Sequence, residues 1–218
     1  MKYSMIYPQS NIVKDIAQLP PHITFEEYQR LKEAILKYYS KWTKHRQKII
    51  DRDILLITYL WETGGRIGDI LQIRYNMFRE GCLYLYNKKR KKTVVITFSN
   101  TSQLIVKTLE YMKKYKIEDF DRLFPFTIQH AWGRIKRYAD GINFPEVIKV
   151  WKNGNQVNST LHPHLFRHGM AIHLVNQGVA IPIITARLGH ANPYITMAFY
   201  LKVTPEVQYN AIKDVNFG

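Results

Sequence analysis

The chain has 218 residues, 46% hydrophobic and 13% aromatic, which suffices for a packed domain and excludes wholesale disorder. Its formal net charge of +15 favours a polyanionic partner, nucleic acid first and an anionic membrane surface second. The single cysteine, Cys82, excludes an intrachain disulfide framework and a cysteine-based zinc site. No apolar run approaches the roughly 20 residues of a membrane span, and the N-terminus lacks a secretory signal. We therefore expect a soluble, intracellular protein without a membrane partner.

The N-terminal part predicts an extended leader and two helices. Residues 1–22 contain three prolines and little helical periodicity, so we expect them to be extended. A capping box formed by Thr24 and Glu27 starts the first helix. A second helix, from about residue 47 to 62, is apolar enough to be buried on more than one side. The apolar face of the first helix is predicted from Tyr28, Leu31, Ile35, Leu36 and Tyr39.

A glycine pair interrupts the second helix and is followed by an arginine. Gly64 and Gly65 end the helix, and a short helix is predicted to begin near Gly68 and Asp69. Because Arg66 lies between the break and the new helix, the backbone can aim its side chain. Asp69 could hold the Arg66 guanidinium or another group of an active site. An ordinary helix–turn–helix corner with a surface ion pair explains the same residues, so this motif alone does not establish a functional site.

Two strands, at residues 82–87 and 93–98, are predicted from their β-branched and aromatic residues. Five consecutive cations lie at the tip between them. Adjacent like charges repel in a free protein, but they suit a phosphate backbone, where each neutralised phosphate releases counterions. A solvated basic loop or a targeting signal is the alternative interpretation. The five residues are Lys88, Lys89, Arg90, Lys91 and Lys92.

The middle of the chain predicts two helices and a second hairpin. One helix spans residues 101–116, with Leu104, Leu109 and Met112 as core contacts. The next spans residues 127–139 and is basic at Arg134, Lys136 and Arg137. Asn-Gly at residues 153 and 154, between alternating flanks, is a strong signal for a tight hairpin turn.

The C-terminal part contains the motifs richest in chemistry. His164 and Arg167 lie three residues apart on a helix that Gly178 ends, so they share one face. An arginine fork fits two phosphate oxygens, and an imidazole can carry a proton near neutral pH. Such spacing also occurs in ordinary surface pairs, so its companions give it weight. A short helix over 182–188 ends at Leu-Gly-His, and further helices are predicted at 193–200 and from residue 204.

A metal site is the less favoured interpretation of the histidines at 162, 164 and 168, because no carboxylate or cysteine accompanies them.

Together, the motifs resemble the tyrosine recombinase, or phage integrase, family. The resemblance rests on TGGRIGDIL, HPHLFRH, LGH and the tyrosine that follows, with the basic hairpin at the position of the family's lysine. Order and spacing agree over roughly residues 23–213.

The resemblance implies a mixed α/β, predominantly α-helical catalytic domain with a small antiparallel β-sheet. We expect residues 1–22 to be the leader and residues 23–218 the catalytic domain. Family members typically carry a separate helical DNA-clamping, or core-binding, domain before the catalytic domain. Because the motifs begin so early in the chain, we expect no such separate domain in this sequence, which is either a naturally minimal recombinase or a piece of a longer one.

The resemblance also implies a role for each motif residue. Arg66 and Arg167 would clamp the scissile phosphate, with Asp69 supporting them. Tyr200 would be the nucleophile, because Tyr194 lies too close to the histidine of the LGH motif. His164 would be the general base, and His190 would hydrogen-bond the phosphate. Aligning TVVIT with the family's second hairpin strand makes Lys88 the acid that protonates the leaving oxygen, with Lys91 as runner-up. DNA contacts are expected from Lys89, Arg90, Lys91, Lys92, Arg134 and Arg137.

The implied activity is that of a site-specific recombinase or integrase of a mobile element or virus. It would cleave and rejoin double-stranded DNA through a 3′-phosphotyrosine, needing neither ATP nor metal, and would self-associate as a dimer or tetramer on DNA. Type IB topoisomerase-like or telomere-resolving activity uses similar residues and stays open, as does a non-catalytic DNA-binding regulator. Tyr200 is followed by Leu-Lys-Val rather than the histidine often found there.

Overall fold

The computed structural model of the chain describes residues 21–40, 46–141, 161–190, 213 and 215, and the backbone of residues 148–152 and 155–159. The helices are α1 (Phe25–Tyr39), α2 (Gln47–Thr63), α3 (Ile67–Ile70), α4 (Leu104–Tyr115), α5 (Ile128–Asp140), α6 (Pro163–Asn176) and α7 (Ile181–Leu188). The strands are β1 (Phe78–Arg79), β2 (Cys82–Asn87), β3 (Lys92–Ile96), β4 (Ile148–Lys152) and β5 (Asn155–Ser159), with a 3-10 turn at Tyr75–Met77.

Helix α1 begins at the predicted capping box. Thr24 Oγ1 accepts from the Glu27 amide at 3.1 Å, while the Glu27 carboxylate accepts from the Thr24 amide at 2.8 Å. The prediction for Leu36 was wrong: it is 52% exposed. The buried stripe advances by three or four residues at a time, whereas Leu36 lies about 100° round the helix from its neighbour Ile35. The buried stripe consists of Tyr28, Leu31, Ile35 and Tyr39.

Helix α2 is the centre of the fold, and its burial on several sides is confirmed. It packs against α1, α4 and α6, so a single apolar stripe would not cover its contacts. The run from Leu55 to Trp61 is buried throughout. Because α2 is fixed along its length, the corner that follows it has a defined position.

A three-stranded antiparallel sheet, ordered β1–β2–β3, carries the basic hairpin. Strand β3 ends at Ile96 rather than at the predicted residue 98, and β1 was not predicted. The register pairs Leu83 with Ile96, Leu85 with Val94 and residue 87 with residue 92. Both apolar pairs face the core, so the register that buries them also fixes the turn at residues 88–91 within the basic hairpin tip.

Two further predictions have different outcomes. Leu104 and Met112 of α4 are buried, but Leu109 is 43% exposed, so its predicted core contact was wrong. Positions 104, 108, 111 and 112 form the buried face, and residue 109 lies outside this 3.6-residue periodicity. The second hairpin is confirmed by the antiparallel pairing of β4 with β5. The helices predicted at 193–200 and from residue 204 lie outside the described residues.

A buried polar network joins α1, α2 and α5. The Asp53 carboxylate is 1% exposed and accepts from Arg134 Nη1 at 2.6 Å and from the Tyr138 hydroxyl. Arg134 Nη1 also donates to the Tyr39 hydroxyl at 3.0 Å. Arg52 pairs with the second Asp53 oxygen at 3.2 Å. A buried carboxylate is tolerated because donors of this kind surround it.

Candidate active site

The corner between α2 and α3 sets the position of Arg66. Gly64 ends α2 in the left-handed conformation, with φ of +60°. The Thr63 hydroxyl donates to the Tyr59 carbonyl at 2.6 Å and accepts from the Gly65 amide at 3.0 Å. Arg66 follows as the extended residue that begins α3. A Cβ added to Gly64 would lie 2.1 Å from Met170 Cε of α6, so the corner is pressed against α6.

Arg167 physically joins three of the sequence motifs. Its side chain is buried, and its Nη1 donates to the Gly64 carbonyl at 2.7 Å while its Nη2 donates to the Leu188 carbonyl at 2.6 Å. Gly64 belongs to TGGR and Leu188 to LGH. One guanidinium of the HPHLFRH helix therefore fixes the other two motifs beside it.

Arg66 and Asp69 line one small cleft together with Arg167 and Leu188. Arg66 Nη1 is enclosed and has no hydrogen-bond partner among the described residues. A buried guanidinium N–H without an acceptor is costly, which is typical of a site prepared for an anion. Burial raises the pKa of the Asp69 carboxyl, against the opposing effects of the Lys88 amide and both arginines.

The basic hairpin is anchored to this cleft by backbone contacts. The Lys88 amide donates to Asp69 Oδ1 at 3.3 Å. The Arg90 amide donates to both the carbonyl oxygen and Oδ1 of Asn87, at 3.2 Å each. The four lysines of the tip are exposed, and Arg90 is half-buried. The Lys88 side chain is thus exposed at the edge of the cleft that holds Asp69.

Two histidines lie near the arginines. His164 is in the first turn of α6, and His190 follows Gly189, which ends α7 with φ of +60°. The His164 ring still meets solvent, yet desolvation by the surrounding protein, then the charges of His168 and Arg167, lower its pKa to about 4. Desolvation, then the charges of Arg167 and Arg66, lower the pKa of His190 to about 4. Both rings are therefore neutral at pH 7.

His162 and His168 each have a ring neighbour in this region. His162 stacks on Trp132 of α5, with ring centroids 5.5 Å apart and planes 9° apart. The His164 ring lies 6.5 Å from His162 and 6.0 Å from His168. Among the residues that the structure describes, no three His, Cys, Asp or Glu side chains are grouped to hold a metal ion.

The predicted DNA contact of Arg134 requires a correction. Its Nη1 lies inside the protein on Asp53, and its side chain is only 12% exposed, so the guanidinium is committed to the buried network. Sequence spacing did not show this, because Asp53 is 81 residues away. Arg137 is exposed, with its guanidinium 5.7 Å from the Tyr38 ring centre, so its surface position is compatible with the prediction.

The structure thus brings Arg66, Asp69 and Arg167 into one cleft, with the Lys88 backbone on it and His164 and His190 beside it. Tyr200 lies outside the described residues, so its distance from the cleft is not part of this geometry. The arrangement gathers positive charge and neutral imidazoles around an enclosed N–H donor, which suits an oxyanion.

The chain is similar to known proteins in sequence and in fold. Residues 22–206 match the phage integrase family. The chain belongs to this family. Tyrosine recombinase XerA of Pyrococcus horikoshii is 30% identical over 175 residues, covering 74% of this chain and 54% of the relative. Tyrosine recombinase XerD of Haemophilus ducreyi is 26% identical over 212 residues, covering 91% and 64%. The chain therefore spans less than two thirds of the length of either relative.

Solved structures show the same fold. The XerH recombinase bound to its difH substrate matches with a TM-score of 0.59 at 22% identity, covering 84% of this chain and 50% of that one. The catalytic domain of bacteriophage HP1 integrase matches with a TM-score of 0.56 at 16% identity, covering 89% of this chain and 94% of that one. A lambda integrase tetramer bound to a Holliday junction matches with a TM-score of 0.55 at 16% identity, covering 84% of this chain and 48% of that one. The predicted family and the predominantly helical fold with a small antiparallel sheet are confirmed.

The sequence patterns did not reveal three features of this region. Asn87 shapes the hairpin turn, and asparagine at the first position of a turn is a recognisable signal. Trp132 stacks beside the histidines, which helical periodicity alone does not reveal. The partial burial of Arg90 among exposed lysines is a feature of the folded turn and could not be read from a run of like charges.

Among the described residues, no helix is both long and apolar enough to cross a lipid bilayer.

Proposed function

We propose that the chain is the catalytic domain of a site-specific tyrosine recombinase or integrase, with residues 23–218 as that domain. It cleaves and rejoins double-stranded DNA through a covalent 3′-phosphotyrosine and uses neither ATP nor a metal. The observation that carries the proposal is the cleft itself, where an N–H of Arg66 that has no partner among the described residues lies beside the buried Arg167. Family membership and the net charge of +15 support the same conclusion.

The two arginines supply electrostatic stabilisation. Attack on a phosphodiester produces a pentacoordinate transition state with more negative charge on the non-bridging oxygens. Arg66 and Arg167 are fixed before substrate arrives, Arg167 by two backbone carbonyls, so they stabilise this charge without reorganising. The charge that a metal ion would otherwise neutralise falls to these guanidinium groups.

Proton transfer is divided between the two sides of the cleft. Tyr200 attacks phosphorus while its phenolic proton passes to His164, whose lowered pKa leaves the ring neutral at pH 7 and able to accept. The bond from phosphorus to the 5′-oxygen breaks, and the Lys88 ammonium protonates that oxygen. His190 hydrogen-bonds a phosphate oxygen. One phosphate ester replaces another, so the reverse steps rejoin DNA without an external energy source.

The DNA partner is approached through exposed cations. The side chains of Lys89, Lys91 and Lys92 are exposed on the hairpin whose Lys88 amide donates to Asp69 of the cleft, and Arg137 is exposed on α5. We infer that they bind backbone phosphates next to the cleavage point. We also infer self-association on DNA, as a dimer or tetramer, in keeping with the lambda integrase tetramer on a Holliday junction.

Covalent capture tests the proposal. Wild-type protein is incubated with circular and genomic DNA, denatured with detergent, and assayed for DNA that stays attached to protein. We expect attachment for wild type and none for Tyr200→Phe, which keeps native DNA binding because only a hydroxyl is lost. DNA retention that detergent abolishes in wild type would contradict the proposal and identify a binding protein. Relaxation of circles by a monomer, without joining two sites, would indicate a topoisomerase.

A second substitution tests the acid. Lys88→Ala is expected to abolish strand transfer and leave DNA binding nearly intact, because neighbouring lysines still attract the backbone. Lys91→Ala is the matched control, with the same charge loss on the same loop. Full activity of Lys88→Ala combined with loss in Lys91→Ala would move the role to Lys91.

A further inference from the structure

Arg90 differs from the other four cations of the hairpin tip. The four lysines are exposed, but Arg90 is half-buried. Its Nε is enclosed by protein and has no hydrogen-bond partner among the described residues. A guanidinium N–H turned inward without an acceptor is unfavourable unless a ligand supplies one. The side chain therefore differs from a simple contributor to surface charge.

The turn that holds Arg90 is ordered by hydrogen bonds rather than left to charge repulsion. The carbonyl and Oδ1 of Asn87 both accept from the Arg90 amide at 3.2 Å. Asn87 itself is only 4% exposed, and Lys91 completes the loop in the left-handed conformation, with φ of +51°. Because the turn is fixed at both ends, the direction of the Arg90 side chain is set by the backbone.

This turn is seated on the Leu-Gly-His motif. A Cβ added to Gly189 would lie 2.7 Å from Val94 Cγ2 and 3.7 Å from Asn87 Nδ2, so the hairpin root touches the residue before His190. The charge of Arg90 also contributes to the lowered pKa of His190, after desolvation and the two cleft arginines. Arg90 thus lies on the hairpin that packs against Gly189, close enough to His190 for its charge to act on that ring.

We propose that Arg90 is a third phosphate-binding arginine of the site, which holds the scissile phosphate from the His190 side while Arg66 holds it from the α3 side. Arg66 Nη1 and Arg90 Nε are both enclosed donors without acceptors among the described residues, and one phosphate provides oxygens for both. This inference rests on the proposed function, since it assigns a further ligand to the same phosphate. Arg90 is thereby separated from Lys89, Lys91 and Lys92, which face solvent.

Inorganic phosphate is the first probe, because its binding requires neither a known DNA sequence nor catalysis. Calorimetric titration at constant ionic strength compares wild type with Arg90→Gln and Lys89→Gln, which remove equal charge from adjacent positions. We expect Arg90→Gln to weaken phosphate binding by about tenfold or more, as for loss of a charged hydrogen bond, and Lys89→Gln by about twofold or less. Equal affinities of the two variants would overturn the proposal.

Arg90→Lys guards against a folding defect, because it keeps the charge but removes the Nε donor. Urea unfolding of each variant is measured first, and only variants as stable as Lys89→Gln are compared. We expect Arg90→Lys to bind phosphate more weakly than wild type, since an ammonium group cannot reproduce the inward-facing donor. Phosphate affinity equal to that of wild type in Arg90→Lys would show that charge alone matters and would refute the assignment.

The adduct assay separates failure of this inference from failure of the proposed function. On DNA recovered by covalent capture, the rate of adduct formation at saturating protein should fall at least about tenfold for Arg90→Gln. It should change little for Arg79→Gln, which makes the same substitution at an exposed arginine of β1. If wild type forms no adduct, the proposed function fails, and the phosphate titration still decides whether Arg90 belongs to the anion site. If wild type reacts and Arg90→Gln matches Arg79→Gln, only the role of Arg90 fails.

Discussion

Replacing Arg134 by methionine tests whether the buried network, rather than DNA contact, explains this arginine. The variant loses the 2.6 Å bond from Nη1 to Asp53 and the 3.0 Å bond to the Tyr39 hydroxyl. Removing one partner of a buried ion pair typically costs about 3–5 kcal/mol, because the remaining charge is uncompensated. Here Arg52 still pairs with the other Asp53 oxygen at 3.2 Å. We therefore expect Arg134→Met to lower the free energy of unfolding by the low end of this range, about 3 kcal/mol.

Arg137→Met is the matched control, since it removes the same charge three residues along α5. Its guanidinium is exposed and lies over Tyr38, a contact worth about 0.5–1 kcal/mol. Urea unfolding followed by circular dichroism measures both variants. For a chain of this length, about 3 kcal/mol corresponds to a fall in melting temperature of about 6–12 °C.

The double variant Asp53→Asn with Arg134→Met adds a check, because it removes the unpaired carboxylate together with the arginine. We expect it to be no less stable than Arg134→Met alone. The interpretation of Arg134 is refuted if Arg134→Met and Arg137→Met have free energies of unfolding within about 0.5 kcal/mol of each other. It is also refuted if Arg134→Met folds normally and loses only DNA affinity.

Two further predictions concern packing and pH. Gly169→Ala should lower the free energy of unfolding by about 1–3 kcal/mol, because its Cβ would lie 2.0 Å from the Ile23 carbonyl oxygen. Gly133→Ala has nothing within 4 Å of its Cβ and should raise the free energy of unfolding by about 0.5–1 kcal/mol. Equal stabilities of the two variants in chemical unfolding would contradict the packing of α6 against residue 23. The pKa of His190 lies near 4 in the fold against an ordinary 6.5, so the unfolded chain binds more protons between these values and stability should fall as pH drops from 6.5 to 5. His190→Gln should flatten that slope, and an unchanged slope in urea titrations at pH 6.5 and 5 would contradict the environment assigned to this ring.

Much of the fold was accessible from local patterns. The capping box of Thr24 and Glu27, the left-handed glycines at 64 and 189 and the β2 strand each follow from short-range physics. Leu36 and Leu109 were misassigned because an apolar residue one step off the buried stripe looks the same in sequence. Packing of whole elements, which decides which face is covered, is not encoded in any short window.

The candidate site also has some features that the sequence indicated and others that it did not. Motif order indicated which arginines and histidines to examine, and Arg167 bonding to both Gly64 and Leu188 supplies the physical reason that the motifs occur together. The commitment of Arg134 to Asp53 depends on a contact between distant segments, and the enclosed Nε of Arg90 depends on the folded turn. Charge counting treats every exposed and buried cation alike, so it could not separate them.

The most direct measurement of the central claim is identification of the amino acid that carries DNA in the captured adduct. The adduct is digested with nuclease and trypsin, and the modified peptide is sequenced by mass spectrometry. We predict a nucleotide on Tyr200 alone among the 15 tyrosines, joined through a 3′-phosphate. A nucleotide on another residue of wild-type protein, or an adduct that persists in Tyr200→Phe, would contradict it.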